Sequence, residues 1–253
     1  MVLLELEKIS KNFGGLTALQ DLSFQVRQEE IVGLIGPNGA GKTTLFNVIT
    51  GVYKPSRGRI NFKGEKLTGL APHEVAKRGI ARTFQSTILY RDMTVLENVV
   101  VGSTLQMNYS LWGALFHTRQ YKEMENYSRQ KALEAIHFME MDKFIEVQAK
   151  NLPHGHQRKL GVCIALISRP EILLLDEPVT GMNPTESDDM IRHIQKIQKQ
   201  LGITIVIIEH NMKVLMGLSD RIVAINFGSL IAEGLPQEIQ QNEKVIEAYL
   251  GRD

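Results

Sequence analysis

The chain has 253 residues, of which 43% are hydrophobic and 23% charged, a balance typical of a folded globular protein with a sizeable core. With 29 basic and 28 acidic side chains the formal charge is +1, which gives no support to a nucleic-acid-binding surface. The single cysteine, Cys163, excludes an intrachain disulfide, and its apolar neighbours predict a buried position on a helix. No segment approaches the ~20 apolar residues that a membrane-spanning helix needs, so any place at a membrane would depend on another protein.

The first third of the sequence carries strand patterns. Residues 3–9 and 22–26 alternate apolar and polar side chains, which predicts two half-buried antiparallel strands. Residues 31–35 form a near-continuous apolar run, which is typical of a central strand in a parallel sheet. A helix is predicted next at residues 42–50, followed by another strand near residues 59–62.

The middle of the chain differs from the last third. From residue 94 to residue 167 apolar side chains recur at helical spacing, without a strong strand signal. The last third alternates between strands at 172–175, 203–208 and 221–225 and helices at 185–201 and 211–218. This order predicts a parallel sheet covered by helices. We therefore expect one α/β domain in which residues 1–93 and 168–253 form a lobe and residues 94–167 form an inserted helical subdomain.

A glycine-rich run lies between the predicted strand at 31–35 and the predicted helix that follows it. It fits the pattern G-x-x-x-x-G-K-[ST] in the strand–loop–helix context that this pattern requires, which a chance glycine-rich turn would lack. Such a loop turns its backbone N–H groups toward a phosphate, and the helix N-terminus adds positive partial charge. Lys42 would reach the β- and γ-phosphates, and the Thr43 hydroxyl would ligate Mg²⁺. The predicted nucleotide-binding residues are Gly36, Pro37, Asn38, Gly39, Ala40, Gly41, Lys42, Thr43 and Thr44.

Two acidic residues, Asp176 and Glu177, end the apolar strand at 172–175. A buried parallel strand delivers its C-terminal residues to the sheet edge where ligands bind. Asp176 is a candidate for the Mg²⁺ shell through water, and Glu177 is placed to orient and polarise an attacking water. A solvated strand end is the plain alternative, and the nearby phosphate loop argues against it.

Three single residues are weaker candidates. Gln85 ends an extended stretch before the helical segment, where its carbonyl could touch Mg²⁺ or the lytic water. His210 follows the strand at 203–208 and could hydrogen-bond the γ-phosphate and align Glu177. Phe13 could stack on adenine, although aromatic rings more often pack in a core. Taken alone, each has a plain interpretation as a loop, surface or core residue.

The polar stretch at residues 152–158 precedes a helix that we predict at 159–167. Its backbone amides would form a second helix N-terminus able to meet an anion. In isolation the stretch is also compatible with an ordinary polar helix start.

Taken together, these residues resemble the ABC ATPase family over essentially the whole chain. The motifs that carry the resemblance are Gly36–Thr44 (Walker A), Gln85 (Q-loop), residues 152–157 (signature motif), Asp176 with Glu177 (Walker B and catalytic glutamate), residues 181–183 (D-loop) and His210 (switch histidine). The resemblance implies a P-loop cassette with a RecA-like α/β lobe, an N-terminal antiparallel β subdomain and an inserted α-helical subdomain. It also implies ATP and Mg²⁺ as ligands.

The same resemblance implies roles for individual residues. Hydrolysis would depend on Lys42, Gln85, Glu177 and His210, and the metal would be held by Thr43, Gln85 and Asp176. The signature residues Pro153, His154, Gly155 and His156 would contact the γ-phosphate of a nucleotide bound by a partner cassette.

Further segments resemble the branched-chain amino-acid uptake subfamily. They are residues 82–85, 93–98, 209–212, 216–221 and 245–251. The resemblance implies a second ATPase subunit, two permease subunits, an extracytoplasmic binding protein and a peripheral place on the cytoplasmic face of the cell membrane. Other cargoes (urea, amides, or lipopolysaccharide export), a non-transport ABC ATPase and a P-loop kinase stay as alternatives, and the ATPase dimer is open between homo- and heteromeric.

Two positions of the signature motif depart from the family pattern. Pro153 stands where the signature motif usually has Ser, and His154 stands where it usually has Gly, so one hydroxyl donor to the γ-phosphate is missing. Losing one donor to a charged acceptor would weaken the site by about 1.5–3 kcal/mol, and a proline that preorganises the helix start would offset part of that loss. His154 and His156 also raise the hypothesis of pH sensing.

Asn183 replaces the usual D-loop Asp, and the sequence around it predicts a helix cap. Pro184 follows at the first helical position and Glu186 lies three residues on, the spacing of a capping box. The apolar residues 105–116 have two interpretations, packing within the helical subdomain or forming the surface that receives a permease.

Overall fold

The computed structural model describes residues 1–83, 89–103 and 118–250. An antiparallel sheet begins the fold, because the alternating N-terminal segments pair as predicted. Its strands are β1 (Val2–Phe13), β2 (Leu16–Arg27), β4 (Arg57–Phe62) and β5 (Glu65–Lys66), in the order β2-β1-β4-β5. Ile9 lies opposite Leu22 across the first pair, and both side chains are buried.

A second sheet of six strands forms the centre of the molecule. Its members are β3 (Ile31–Ile35), β6 (Ile80–Arg82), β7 (Ile172–Asp176), β8 (Thr204–Ile208), β9 (Arg221–Asn226) and β10 (Ser229–Gly234). Their order is β10-β9-β3-β8-β7-β6, and all neighbouring pairs are parallel except the β9–β10 hairpin. Strands β3, β7 and β8 are buried at every residue, which explains their continuous apolar runs.

The helices of the described residues connect these strands and form most of the middle segment. They are α1 (Lys42–Ile49), α2 (Pro72–Lys77), α3 (Val95–Gly102), α4 (Arg119–Phe138), α5 (His154–Leu166), α6 (Pro184–Leu201), α7 (Met212–Leu218), α8 (Pro236–Gln240) and α9 (Glu243–Leu250). Within this described part, none of the helices combines the length and hydropathy required to span a bilayer.

The central sheet separates two apolar clusters. Strand β7 illustrates the alternation: Leu173 and Leu175 face the cluster that contains α5 and α6, whereas Ile172 and Leu174 face the cluster that contains α1 and the antiparallel sheet. Cys163 of α5 is fully buried in the first cluster, as predicted, and burial raises the pKa of its thiol to about 12. The helical segment therefore shares its core with the sheet.

Most predicted elements are confirmed within a residue or two, but three boundaries were wrong. Strand β1 continues to Phe13 instead of ending at residue 9, and β2 begins at Leu16 instead of residue 22, because register shifts in this pair interrupt the alternation of apolar and polar side chains. We predicted that a helix begins at Lys159 after a polar stretch, but α5 begins at His154, with Pro153 at its N-cap. The first turn of α5 is polar and partly exposed, so it lacks the apolar spacing by which a helix is recognised in a sequence. Six further elements were not predicted because each is too short, at two to eight residues, to show a clear period: β5, β6, β10, α2, α8 and α9.

Candidate nucleotide-binding and hydrolysis site

The phosphate loop connects the buried strand β3 to helix α1, and its ends are fixed by close backbone packing. A Cβ atom on Gly36 would come within 2.2 Å of the Ile225 carbonyl oxygen on β9. Gly41 has φ +103°, and a Cβ atom there would come within 2.6 Å of the Ala18 carbonyl oxygen on β2. Only glycine fits at both ends, so the loop is held tightly against two neighbouring strands.

Lys42 begins α1 and turns its side chain back toward the loop. The side chain is 7% exposed, and its Nζ donates hydrogen bonds to the carbonyl oxygens of Gly36 and Pro37 (3.0 Å for the latter). Burial lowers the pKa of Lys42, while the charges of Glu177 and Asp176 act in the opposite direction. The structure therefore brings the predicted lysine and the two predicted carboxylates into one electrostatic environment.

The other residues of the loop differ in exposure. Asn38 and Gly39 are exposed, whereas Ala40 is buried and its N–H donates to the Pro37 carbonyl oxygen at 3.1 Å. Thr43 is exposed on the first turn of α1, and the next residue, Thr44, is half-buried. The Thr43 side chain is thus available at the helix N-terminus, where an anion is favoured.

Asp176 ends strand β7 and forms a buried ion pair that the sequence analysis did not foresee. Its Oδ2 accepts a hydrogen bond of 2.7 Å from Arg82 Nη2, and both side chains are no more than 5% exposed. Arg82 also donates to Asn47 Oδ1 of α1 at 2.6 Å. This chain of contacts ties the carboxylate to the helix that follows the phosphate loop.

Glu177 and His210 meet at the ends of two adjacent strands, β7 and β8. His210 Nε2 contacts Glu177 Oε1, which is the pairing that the sequence suggested. The N–H of Glu177 donates to the Ile208 carbonyl oxygen at 2.9 Å. Glu177 also has φ +51°, an uncommon value for a residue with a side chain.

Glu209 was missed by the sequence analysis. It is 2% exposed, and its carboxylate accepts hydrogen bonds from the N–H groups of Val179 (2.9 Å) and His210 (3.2 Å). Burial raises its pKa, against the lowering effect of these two donors. The side chain connects the segment after Glu177 to His210. An acid directly after the apolar strand 204–208 was the available signal, the same pattern that identified Asp176 and Glu177.

Phe13 lies at the end of β1 and is 40% exposed. Its ring meets that of Tyr53 edge to face, with centroids 5.2 Å apart, and Lys11 Nζ lies 4.8 Å from the Phe13 centroid. Phe13 is therefore part of a small aromatic and cationic surface group rather than a core residue. Its predicted contact with adenine stays a prediction.

The signature segment packs against the D-loop side of the same chain. Gly155 is buried beside Glu186, whose Cδ would lie 2.9 Å from an added Cβ atom, and His154 lies beside Gly181. The His156 ring packs on Phe144 with centroids 4.3 Å apart. Burial, with a smaller effect of the charge on Lys159, lowers the pKa of His156.

The structure does not bring the signature segment onto the phosphate loop of the same chain. Between residues 153–156 and residues 36–44, all of which the structure describes, there is no hydrogen bond or ion pair. Pro153 and His154 are exposed at the start of α5, with their helix N-terminus open to another molecule. Gln85 and residues 105–116 lie outside the described residues.

The predicted cap of α6 is confirmed. The Asn183 side chain accepts a hydrogen bond of 2.9 Å from the Glu186 N–H, and Glu186 Oε2 accepts one of 3.1 Å from the Asn183 N–H. Pro184 occupies the first helical turn. The capping box explains why Asn183 is suited to this position whatever else it contacts.

The parallel sheet and the phosphate loop define the protein as one of the P-loop nucleotide-binding class. A model of the ABC transporter family matches residues 19–180, and one described as branched-chain amino acid ATP-binding cassette transporter matches residues 229–253. The chain belongs to the ABC transporter family of ATP-binding cassettes.

Individual relatives agree with this assignment. The chain is 39% identical over 249 residues to the high-affinity branched-chain amino acid transport ATP-binding protein BraF of Pseudomonas aeruginosa, covering 98% of each chain. It is 41% identical over 249 residues to the corresponding protein LivG of Salmonella typhimurium, again covering 98% of each. A solved ATP-binding cassette of an ABC transporter in its ADP conformation superposes with a TM-score of 0.86 at 32% identity, covering 100% of both chains. The predicted family and fold class are thereby confirmed.

Proposed function

We propose that the protein hydrolyses ATP to energise a membrane importer of branched-chain amino acids. The observation that carries the proposal is the meeting of Lys42, Glu177 and His210 at one edge of the sheet, beside the phosphate loop. The relatives BraF and LivG are branched-chain amino acid transport ATP-binding proteins that align with 98% of the chain, which supports this cargo. The C-terminal match to a branched-chain amino acid cassette model supports the same cargo.

Within this proposal, the phosphate loop binds ATP through its backbone N–H groups and Lys42. Glu177 accepts the proton of the attacking water, and His210 holds the carboxylate in position through the contact between their side chains. Lys42, now bonded to loop carbonyls, would exchange these for phosphate oxygens and stabilise the charge that develops there. Gln85 would contact the metal and the attacking water; this residue is not among those that the structure describes.

The side chains fit a magnesium ion as cofactor. Thr43 and Asp176 offer only oxygen donors, which is the ligand chemistry that Mg²⁺ prefers. Asp176 bonds Arg82 through one carboxylate oxygen and has a second carboxylate oxygen besides it. When bound, the ion would neutralise phosphate charge. Thr43, Gln85 and Asp176 are the residues that we propose to hold it.

A second cassette completes the proposed site. Because residues 153–156 lie at the start of α5, away from their own phosphate loop and with Pro153 and His154 exposed, they are suited to meet the γ-phosphate held by a partner. His154, Gly155 and His156 would do so mainly with their backbone N–H groups. Pro153 brings neither a hydroxyl nor a backbone N–H, and would contribute by fixing the start of the helix beside the phosphate.

The proposal also covers organisation and location. Residues 94–167 would act as the helical subdomain and the rest as the α/β lobe. The two parts share one apolar cluster. The protein would be peripheral on the cytoplasmic face of the cell membrane, bound to two permease subunits. An extracytoplasmic solute-binding protein would deliver the cargo to them.

The test is a pull-down from native membranes with this chain as bait, followed by mass spectrometry and reconstitution of the recovered complex in liposomes. We expect two dissimilar permeases, a second cassette, and leucine uptake that requires ATP. The same complex carrying Lys42→Ala should show no uptake. Uptake of urea but not leucine would contradict the cargo, and recovery of soluble partners alone would contradict transport.

A further inference from the structure

The C-terminal helix α9 lies against the outer side of the phosphate loop. A cavity of about 730 Å³ between them is lined by loop residues 37–40 and by Lys244, Glu247 and Ala248 of α9. Val245 of α9 is 4% exposed and belongs to the core cluster on the sheet. The helix is thus anchored to the sheet while one side faces the loop.

One side chain of α9 reaches the loop directly. Tyr249 Oη accepts a hydrogen bond of 2.9 Å from the N–H of Gly36, the first residue of the loop. Gly36 is buried, so this N–H would lose its partner if the hydroxyl were removed. Tyr249 is 43% exposed, and the burial of the rest of the residue raises the pKa of its hydroxyl.

The backbone of Gly36 connects Tyr249 to the proposed catalytic lysine, Lys42. Its N–H is held by Tyr249, and its carbonyl oxygen accepts a hydrogen bond from Lys42 Nζ. On the remaining side, the Ile225 carbonyl oxygen fills the space that a side chain would occupy. The start of the loop is therefore fixed from three directions, and the contact with Tyr249 is the one made by a side chain of the C-terminal helix.

We propose that Tyr249 is a positioning residue for the phosphate loop, which acts through Gly36 and sets the affinity of the site for ATP. The inference rests on the proposed function, because it concerns nucleotide binding at that same site. It gives helix α9, through Tyr249, a part in ATP binding.

The test compares Tyr249→Phe with Tyr127→Phe, which removes a hydroxyl from an exposed tyrosine of α4. Both variants keep the aromatic ring. For Tyr249→Phe we expect the Kd and the KM for ATP to rise about tenfold, as for a buried donor left unpaired, while kcat changes less than about twofold. Tyr127→Phe should match the wild type. Exchange of the Gly36 amide hydrogen should be faster only in Tyr249→Phe.

An unchanged Kd in Tyr249→Phe would overturn the inference and leave the proposed function standing. A lower melting temperature with unchanged Kd and KM would show that the hydroxyl only supports the fold, which also overturns it. If the wild-type chain itself binds no ATP, the proposed function fails and the inference fails with it.

Discussion

The phosphate loop and the signature segment are both helix N-terminal regions, but they are held in place differently. Around the loop, backbone packs on backbone: Gly36 lies against the Ile225 carbonyl and Gly41 against the Ala18 carbonyl. Around the signature segment, side chains make the contacts. Gly155 lies against the Glu186 side chain, and Lys159 of α5 pairs with Asp189 of α6.

This difference explains where the sequence departs from the family pattern. A backbone carbonyl cannot turn away from an added side chain, so the loop retains every residue of its motif. A flexible side chain such as Glu186 can adjust to a changed neighbour. Pro153 and His154 stand where the resemblance leads us to expect Ser and Gly, and both are exposed at the start of α5.

The phosphate loop (residues 36–44) and the acids and histidine after β7 and β8 (Asp176, Glu177, Glu209 and His210) are called the phosphate half here. The largest expected effect concerns its chemistry. Glu177→Gln keeps the shape of the side chain but removes the proposed proton acceptor, so we expect hydrolysis to fall by about 10²–10⁴-fold. ATP binding should persist, because a negative charge near the phosphates is lost. Phosphate release and equilibrium ATP binding are the measurements.

The matched control is Glu171→Gln, just before the other end of the same strand. Glu171 pairs with Lys63 on the surface, where both side chains are more than 40% exposed, so its loss should be nearly silent. Wild-type turnover in Glu177→Gln would refute its assignment as the base.

The next prediction tests the contrast between backbone and side-chain packing. Gly36→Ala forces a Cβ atom against the Ile225 carbonyl, so we expect a loss of about 3 kcal/mol in the free energy of unfolding. Gly155→Ala meets only the Glu186 side chain, and the better helix propensity of Ala offsets that contact, so the change should be under about 1 kcal/mol. Urea unfolding of both variants measures the difference. Equal losses would remove the distinction between the two regions.

A smaller effect is expected at Glu209, one of the side chains that order the phosphate half. Glu209→Gln retains one acceptor oxygen but presents an amide NH₂ to the second N–H donor, so either Val179 or His210 loses its hydrogen bond. We expect kcat to fall about tenfold, with little change in the KM for ATP. Steady-state kinetics measure both constants, and the exposed control Glu125→Gln should leave them as in the wild type. A changed KM with intact kcat would place Glu209 in nucleotide binding instead.

Much of the phosphate half could be predicted from the sequence, because its parts are local. The apolar run of β3, the glycine pattern after it and the acids after β7 each lie within a few neighbouring residues, and strand order brings them to one edge. The capping box at Asn183 is local in the same way.

The remaining contacts depend on residues far apart in the chain. Arg82 contacts Asp176, and Tyr249 contacts Gly36, only once the sheet and α9 have packed. No sequence spacing predicts these two contacts. The start of α5 was misplaced because its first turn packs on α6 through polar groups and a glycine. Tertiary packing, not local pattern, sets that helix boundary.

The smallest predicted effect is an acid sensitivity on the signature side. His193 of α6 is fully buried, and its ring Nδ1 bonds the Asp189 carbonyl oxygen at 2.8 Å. Burial lowers the pKa of His193, and the charge of Lys159 lowers it further, against the raising effects of Asp189 and Glu140.

Because the folded-state pKa lies below the unfolded value of about 6.5, the unfolded chain binds a proton first as the pH falls. The free energy of unfolding should therefore be unaffected by this group above about pH 7 and should decrease below about pH 6.5, by at most ~1.4 kcal/mol for each unit of the shift. His193→Asn, whose amide can still donate to the Asp189 carbonyl, should lose less stability than the wild type between pH 7.5 and 5.5 in urea titrations. The exposed control His73→Asn should behave as the wild type. If the free energy of unfolding decreases equally in His193→Asn and in the wild type, the buried ring does not cause this acid sensitivity.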